Sequence, residues 1–257
     1  MAIVTLLTDS GESDHYVAAV KARIIRINPA IRLEDISHKI HALDIAHAAF
    51  VLRAVFRDFP KGTVHLVGVN ATGGRDDVFV ALQLEDHFFV GCDNGLFSLI
   101  SDHPIQQLVQ LSPEQNAIST FPERDVFAPA AAQLASGTSI SDLGAPRASL
   151  KKLIDRQVKA TRKQIVGNVI RVDGMGNLIT NIHRDTFELL SKGKTFTLQF
   201  GGEKFRRIHA TYHQAEQGEC FVVFNSLSLL EIGICKGNAS ELLGLSYDSL
   251  VNITIDE

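Results

Sequence analysis

The amino-acid sequence predicts an N-terminal α/β domain, a parallel or mixed sheet flanked by helices, followed by a smaller, mainly antiparallel β domain of barrel or sandwich type. Two observations carry this. Through about residue 150, buried apolar strands alternate with amphipathic helices over short connections, the β-α-β-α-β order that builds a helix-flanked sheet. From about residue 165, short apolar strands are separated by Gly, Asn and Asp turns, the texture of antiparallel structure. Residues 151–164 are lysine-rich without a long apolar face and read as a linker, which leaves domains at 1–150 and 165–257.

Ile3 to Leu7 is a continuous apolar run and hence a buried strand. It empties into Thr8-Asp9-Ser10-Gly11-Glu12-Ser13-Asp14, a turn holding three carboxylates. A helix follows from Tyr16 to Ile27, with Val17, Val20, Ile24 and Ile27 at three- and four-residue spacings and a stop at Asn28-Pro29. Ile31 to Ile36 is a second strand. Asp44 to Phe59 is a second helix whose inner face carries Ile45, Ala48, Ala49, Leu52, Val55 and Phe56, stopped by Pro60-Lys61-Gly62. Thr63 to Val69 is a third strand, and Val78 to Leu84 with His87 to Gly91 forms a hairpin turned at Glu85-Asp86. A turn at Cys92-Asp93-Asn94-Gly95 precedes Leu96 to Ile100, and a helix from about Val126 through Leu134 closes at Gly137. In the second domain the strands are 165–172, 178–182, 195–200, 204–208, 220–224, 229–234 and 250–255.

Composition excludes several function classes. The net charge of −4 lacks the basic footprint that a phosphate backbone demands, so nucleic acid is not an expected partner. Cys92, Cys220 and Cys235 form no C-x-x-C pair, which argues against a disulfide framework or a zinc site and for a reducing cytoplasm. Met1-Ala2 runs straight into a strand, with no signal-type leader and no apolar run long enough for a bilayer, so a soluble protein without membrane contact is expected. There is no G-x-G-x-x-G after the first strand, no P-loop and no G-x-S-x-G elbow. His38, His41, His183, His209 and His213 lack metal spacing, and no metal is expected.

What remains is a series of polar turns at strand ends. The opening turn allows two readings: a ligand site at a strand end of an α/β sheet, or turn and cap duty, with Ser13 or Asp14 as the N-cap. Further turns follow at Asp35-Ile36-Ser37-His38, Asn70 to Arg75, Asp93-Asn94-Gly95-Leu96 and Thr120 to Pro129. The second domain adds Asp173 with Gly176-Asn177-Leu178 and Thr180-Asn181-Ile182, then Asn225-Ser226, Leu230-Glu231-Ile232 and Gly237-Asn238-Ala239. Singly these are ordinary turn chemistry. Their collinear order, together with Tyr16-Val17 and Phe59-Pro60-Lys61-Gly62-Thr63-Val64-His65, resembles the S-adenosyl-L-methionine (SAM) hydroxide adenosyltransferases, relatives of fluorinase and chlorinase, over nearly the whole chain.

The resemblance implies a homotrimer with sites between one subunit's first domain and a neighbour's second. It also implies attack on the ribose C5′ of SAM with release of methionine; with water as nucleophile the other product is adenosine. SAM is then the substrate, and no separate cofactor is implied. By match to the family positions, Asp9 accepts the ribose hydroxyls, and Asp14 and Asp173 face the methionine ammonium. Asn177 offers donor and acceptor to the adenine edge, the backbone at Asn238 and Ala239 makes further adenine contacts, Ser226 lies near the methionine carboxylate, and Tyr212 stacks on the base.

The catalytic part departs from the family pattern. The resemblance implies an aspartate after the third strand, an arginine a few residues on, and a histidine in a Thr-Phe-His-Gly-Arg-Asp stretch, which together handle the attacking water. Here the aspartate position is Asn70, the loop to Arg75 is shorter, and Pro122 and Glu123 stand at the histidine and glycine positions. Asparagine orients a water but cannot take its proton, and proline offers no side-chain base. Glu123 is either the substitute base, if burial raises its pKa, or a solvated loop residue. A halide nucleophile would need no base, but the stretch between Asp93 and Thr120 has no room for the fluorinase-type extra loop. Two functions follow: a SAM hydrolase using Asn70, Arg75 and Glu123, or a catalytically impaired homologue that holds SAM or adenosine as a sensor or sequestering protein.

Overall fold

The computed structural model of the chain describes residues 2–74, 77–111 and 119–256. It comprises two compact units, Met1–Ile154 and Asp155–Glu257. In the first, β1 (Ile3–Thr8), α1 (Tyr16–Ile27), β2 (Arg32–Ser37), α2 (Ile45–Val55) and β3 (Val64–Gly68) alternate. They are followed by β4 (Phe79–Leu84), β5 (His87–Cys92), β6 (Gln107–Leu111), α3 (Ala128–Ala135) and β7 (Gly144–Pro146). The sheet order is β2-β1-β3-β5-β4-β6-β7. Strands β2, β1, β3 and β5 are parallel, and β4, β6 and β7 add on antiparallel, so the sheet is mixed.

β1 and β3 are buried along nearly their whole length, and largely apolar, because both sheet faces are covered. Val4, Leu6, Val64 and Leu66 pack with Val20 and Ile24 of α1 and the alanines of α3. Leu7 and Val67 pack on the other face with Leu52 of α2 and with Phe56. The connection through α1 places β2 on one side of β1, and the return through α2 places β3 on the other. Their following loops therefore diverge, and the carboxyl ends of β1 and β3 form the topological switch point where open α/β sheets leave a crevice.

One buried polar cluster lies within this sheet. His65 Nδ1 is 2.7 Å from Thr5 Oγ1, its Nε2 is 3.2 Å from His87 Nδ1, and its ring stacks on Phe89 at 4.9 Å. Burial, with the neighbouring His87, pushes the His65 pKa down to about 3. The unfolded chain therefore binds a proton below the ordinary value of 6.5 that the folded chain refuses until about pH 3. Folding stability is expected to fall as pH drops through that window. Calorimetric melts from pH 7 to pH 3 check this, and the decline is expected to be shallower in His65→Leu.

In the second unit, β8 (Lys159–Ala160), β9 (Gln164–Val172), β10 (Leu178–His183), α4 (Arg184–Ser191), β11 (Phe196–Phe200) and β12 (Glu203–Phe205) precede β13 (Cys220–Phe224). Then come β14 (Leu229–Ile234), α5 (Ala239–Leu243) and β15 (Leu250–Ile255). The order is β12-β11-β15-β9-β10-β14-β13, with β8 on β9, and every ladder is antiparallel. The long β9 pairs with β15 along its first half and β10 along its second, so the sheet curls around a core of Ile165, Val169, Leu178, Leu198, Val222, Ile232 and Ile253.

Some elements differ from the sequence reading. The 204–208 run forms a ladder only as β12, and Leu96 to Ile100 becomes a single tight 3₁₀ turn, Leu96–Ser98, entered through Gly95 at φ 101°. The helix α4 was not expected; it is short, buries Phe187 alone, and is started by the His183 ring accepting from Asp185 N–H. Strand β6 is a further element beyond those the sequence pattern predicts. Among the described residues no helix is long and apolar enough to cross a membrane.

Candidate functional site

At the end of β1, Asp9 is built into the crevice by its backbone and its side chain. Its N–H donates to Gly68 O at 3.2 Å, and its Oδ2 accepts from Leu43 N–H at 2.9 Å and Asn70 N–H at 3.1 Å. Leu43 and Asn70 are both in the left-handed region, at φ 64° and 50°, a conformation costly for side-chain-bearing residues unless the surroundings hold it. The Asp9 carboxylate supplies that hold. Asn94 adds to it by donating from Nδ2 to Val69 O at 2.9 Å. The loop after Asn70 is closed by Asp77, whose Oδ2 accepts from the N–H groups of Thr72 and Gly74. Arg75 lies outside the described residues.

Glu123 belongs to the same crevice. The helix expected from Val126 begins earlier, with a π turn over Glu123–Phe127 in which Ala128 N–H reaches back five residues to Glu123 O. Pro129 explains the widening: it has no N–H to give, and its ring crowds the preceding turn. The π turn rotates Glu123 inward, where it is 7% exposed, so the solvated-loop alternative is excluded. Its Cγ occupies the space that a Cβ on Gly68 would need, which places the side chain across the ends of β3 and β1. Arg124, the adjacent cation, is held by Asp125 at 2.7 Å and does not neutralise it. Burial, with the charge of Asp9 adding to it, pushes the Glu123 carboxyl up to about 7. A carboxyl poised there takes and returns protons at neutral pH. Gly68→Ala is expected to fold at a cost of roughly 1–3 kcal/mol while displacing Glu123; urea titration and a pH titration of the carboxyl by NMR check both.

The rest of the opening turn is tied to the segment that follows β2. Gly11 N–H donates to His38 O at 3.0 Å, and buried His38 places Nδ1 2.8 Å from Thr8 Oγ1. Its Nε2 lies 3.1 Å from Asp35 Oδ1 but off the line of a hydrogen bond. The capping reading of the turn is corrected: His15 stands at the N-cap of α1 and no side chain makes a cap hydrogen bond, so neither Ser13 nor Asp14 serves there. Asp14 is exposed.

In the second unit, the residues singled out from sequence converge on one another. Asp173 Oδ1 accepts from Met175 N–H and Asn177 N–H, both at 2.8 Å. Gly176 packs directly on Asn238, its carbonyl accepts from Ser240 N–H at 2.9 Å, and Asn238 caps α5. Ala239 is fully buried, so its backbone rather than its side chain is what it offers. Tyr212 is 48% exposed, sits edge-on to Phe221 at 5.3 Å, and donates from its hydroxyl to Glu231 at 3.2 Å. Burial and Glu231 together raise its pKa. Ser226 is exposed in the β13–β14 turn next to Asn225, whose Nδ2 donates to Glu231 Oε2 at 3.0 Å. Asn177 differs from expectation. Its Nδ2 faces Asp173 Oδ2 at 3.3 Å and Glu231 Oε1 at 3.2 Å, so its donors are engaged and Oδ1 is what it can present.

Glu231, buried to 4% exposure, was not assigned a role from sequence. The available signal was a lone acid inside the apolar strand Leu229–Ile234, an expensive placement unless donors surround it. Asn94 and Gly68 were likewise visible only as turn and strand residues. Among the described residues no group of three His, Cys, Asp or Glu side chains could hold a metal ion.

Comparison with known proteins matches both units. Residues 4–144 match the SAM hydroxide adenosyltransferase N-terminal domain, and 167–252 match the C-terminal domain of that family. An (R)-S-adenosyl-L-methionine hydrolase of Methanocaldococcus jannaschii is 31% identical, over 95% of this chain and 93% of its own. A second, from Thermus thermophilus, is 32% identical, over 94% and 95%. A solved structure of an uncharacterized conserved protein from Thermotoga maritima superposes with a TM-score of 0.89 at 29% identity, covering 98% of this chain and 99% of that one. With both halves matched in order, the chain belongs to the SAM hydroxide adenosyltransferase family.

Proposed function

We propose that this protein hydrolyses SAM to adenosine and L-methionine by attack of water on the ribose C5′. Full-length likeness to two named SAM hydrolases supports the substrate, and one observation carries the chemistry: the buried Glu123 carboxyl across the strand-end crevice, at a pKa suited to a base. The water oxygen bonds to C5′ as the C5′–S bond breaks, both electrons of that bond passing to sulfur, which leaves as the neutral thioether of methionine. The water proton goes to Glu123, which then releases it to solvent. Asn70 and Arg75 orient the water.

Asp9 accepts the ribose hydroxyls while its Oδ2 keeps the surrounding amides in place. Asp14 and Asp173 take the methionine ammonium and Ser226 its carboxylate. Asn177 and the backbone at Asn238 and Ala239 hold the adenine, and Tyr212 stacks on it. The same reading carries a cytoplasmic homotrimer with sites shared between subunits, a state that sedimentation equilibrium measures.

Incubating the purified protein with SAM and following adenosine and methionine by chromatography tests the reaction; equal amounts of both are expected. Binding by calorimetry with no product above the uncatalysed rate would favour the sequestering alternative, toward which Asn70 and Pro122 point. Absence of binding would overturn both.

A further inference from the structure

Three of the side chains or turns assigned to the ligand from sequence hang on one carboxylate. Glu231 accepts from Asn177 Nδ2 and Tyr212 Oη at Oε1, and from Asn225 Nδ2, in the turn that carries Ser226, at Oε2. An amide oxygen cannot sit against two carboxylates, so Asp173 and Glu231 together determine which way the Asn177 amide points. Both of its N–H groups are consumed, and its Oδ1 accepts no hydrogen bond among the described residues. That oxygen lies over Gly233, where a Cβ would stand 2.6 Å from it and press on the Phe221 ring. The half-buried Asn177 thus presents an acceptor without a donor.

We infer that Glu231 is a positioning residue that sets base specificity: by holding the Asn177 amide it makes this unit select a purine with an amino group at its edge over one with an oxo group. The inference rests on the nucleoside reading of the function above. An exocyclic amine donates to Asn177 Oδ1, whereas an oxo group would set two acceptors face to face, a penalty larger than the loss of one bond. With glutamine at 231 the uniform row of acceptors is broken and the Asn177 amide can turn. Asp173 then opposes the turn alone.

Calorimetric titration of the full-length protein with adenosine, inosine and purine riboside tests this. The wild type is expected to bind adenosine at least about tenfold more tightly than inosine, with purine riboside between them. Glu231→Gln is expected to narrow the adenosine-to-inosine ratio to within a few-fold, a change of preference that a general loosening of the fold would not produce. Equal wild-type affinity for adenosine and inosine would overturn the inference even without a variant. An unchanged ratio in a folded Glu231→Gln protein would also overturn it, leaving SAM hydrolysis standing. Failure of the wild type to bind any of the three would overturn the nucleoside reading itself.

Discussion

Glu123→Gln is expected to lower kcat for SAM hydrolysis by ~10²–10⁴ while SAM affinity stays within a few-fold, because the glutamine keeps the shape of the side chain but cannot take the water proton. Single-turnover kinetics and calorimetry measure the two quantities. The wild-type rate is expected to rise with pH around the value of about 7 to which burial and Asp9 push the carboxyl, since the ionised form is the base; the residual rate of the variant loses that inflection. Asp9, whose charge acts on Glu123, and His38, buried 2.8 Å from Thr8 Oγ1, also stand at this strand end, so the comparison with Glu123→Gln is what assigns the inflection. Arg124 and Asp125 are paired with each other, and Lys21 on α1 is paired with Asp35. His65 in β3 protonates only near pH 3, and Cys92 in β5 is pushed by burial up to about 12.

Stability moves the other way. The folded state holds the Glu123 proton more tightly than the unfolded chain, whose ordinary value is 4.5, so this residue's contribution to stability falls as pH rises from 4.5 through about 7. Glu123→Gln removes that penalty and is expected to melt higher than wild type at pH 8, by an amount on the order of 1–3 kcal/mol, with little difference at pH 5. A full rate in Glu123→Gln would move the base elsewhere in the crevice.

Asp9→Ala is expected to cost roughly 1–3 kcal/mol and to abolish nucleoside binding, since it strands the Leu43 and Asn70 amides in left-handed turns while deleting the acceptor for the ribose hydroxyls. Asp9→Asn separates the two roles. Its amide oxygen still accepts from both N–H groups, so urea stability is expected to stay within about 1 kcal/mol of wild type. Its amide nitrogen, however, replaces an acceptor with a donor, and adenosine affinity measured by calorimetry is expected to fall by about tenfold or more. Equal adenosine affinity in Asp9→Asn and wild type would remove Asp9 from the ribose.

The alternation of strand and helix in the first half was legible because burial on both faces of β1 and β3 leaves largely apolar runs, broken within the strands by Thr5 and His65, and α1 was readable to both ends from its spacing and its Asn28-Pro29 stop. Helix α4 was not legible, since eight residues with one buried side chain leave little periodicity to read. The ligand residues of the second unit were legible as a set of turns. Their connection was not, because Glu231 stands 54 residues from Asn177 and 19 from Tyr212 and only sheet pairing brings them together.

The sequence by itself determined the two-domain class, the strand-end turns and the family, because these depend on local periodicity and on motif order along the chain. The tertiary structure alone decided whether Glu123 faces solvent or the crevice. That choice rests on a π turn imposed by Pro129 and on the space left by Gly68, which lies 55 residues earlier in the chain. Burial is a property of neighbours, and a carboxylate acquires a proton affinity near neutrality from what surrounds it rather than from its own position in the sequence.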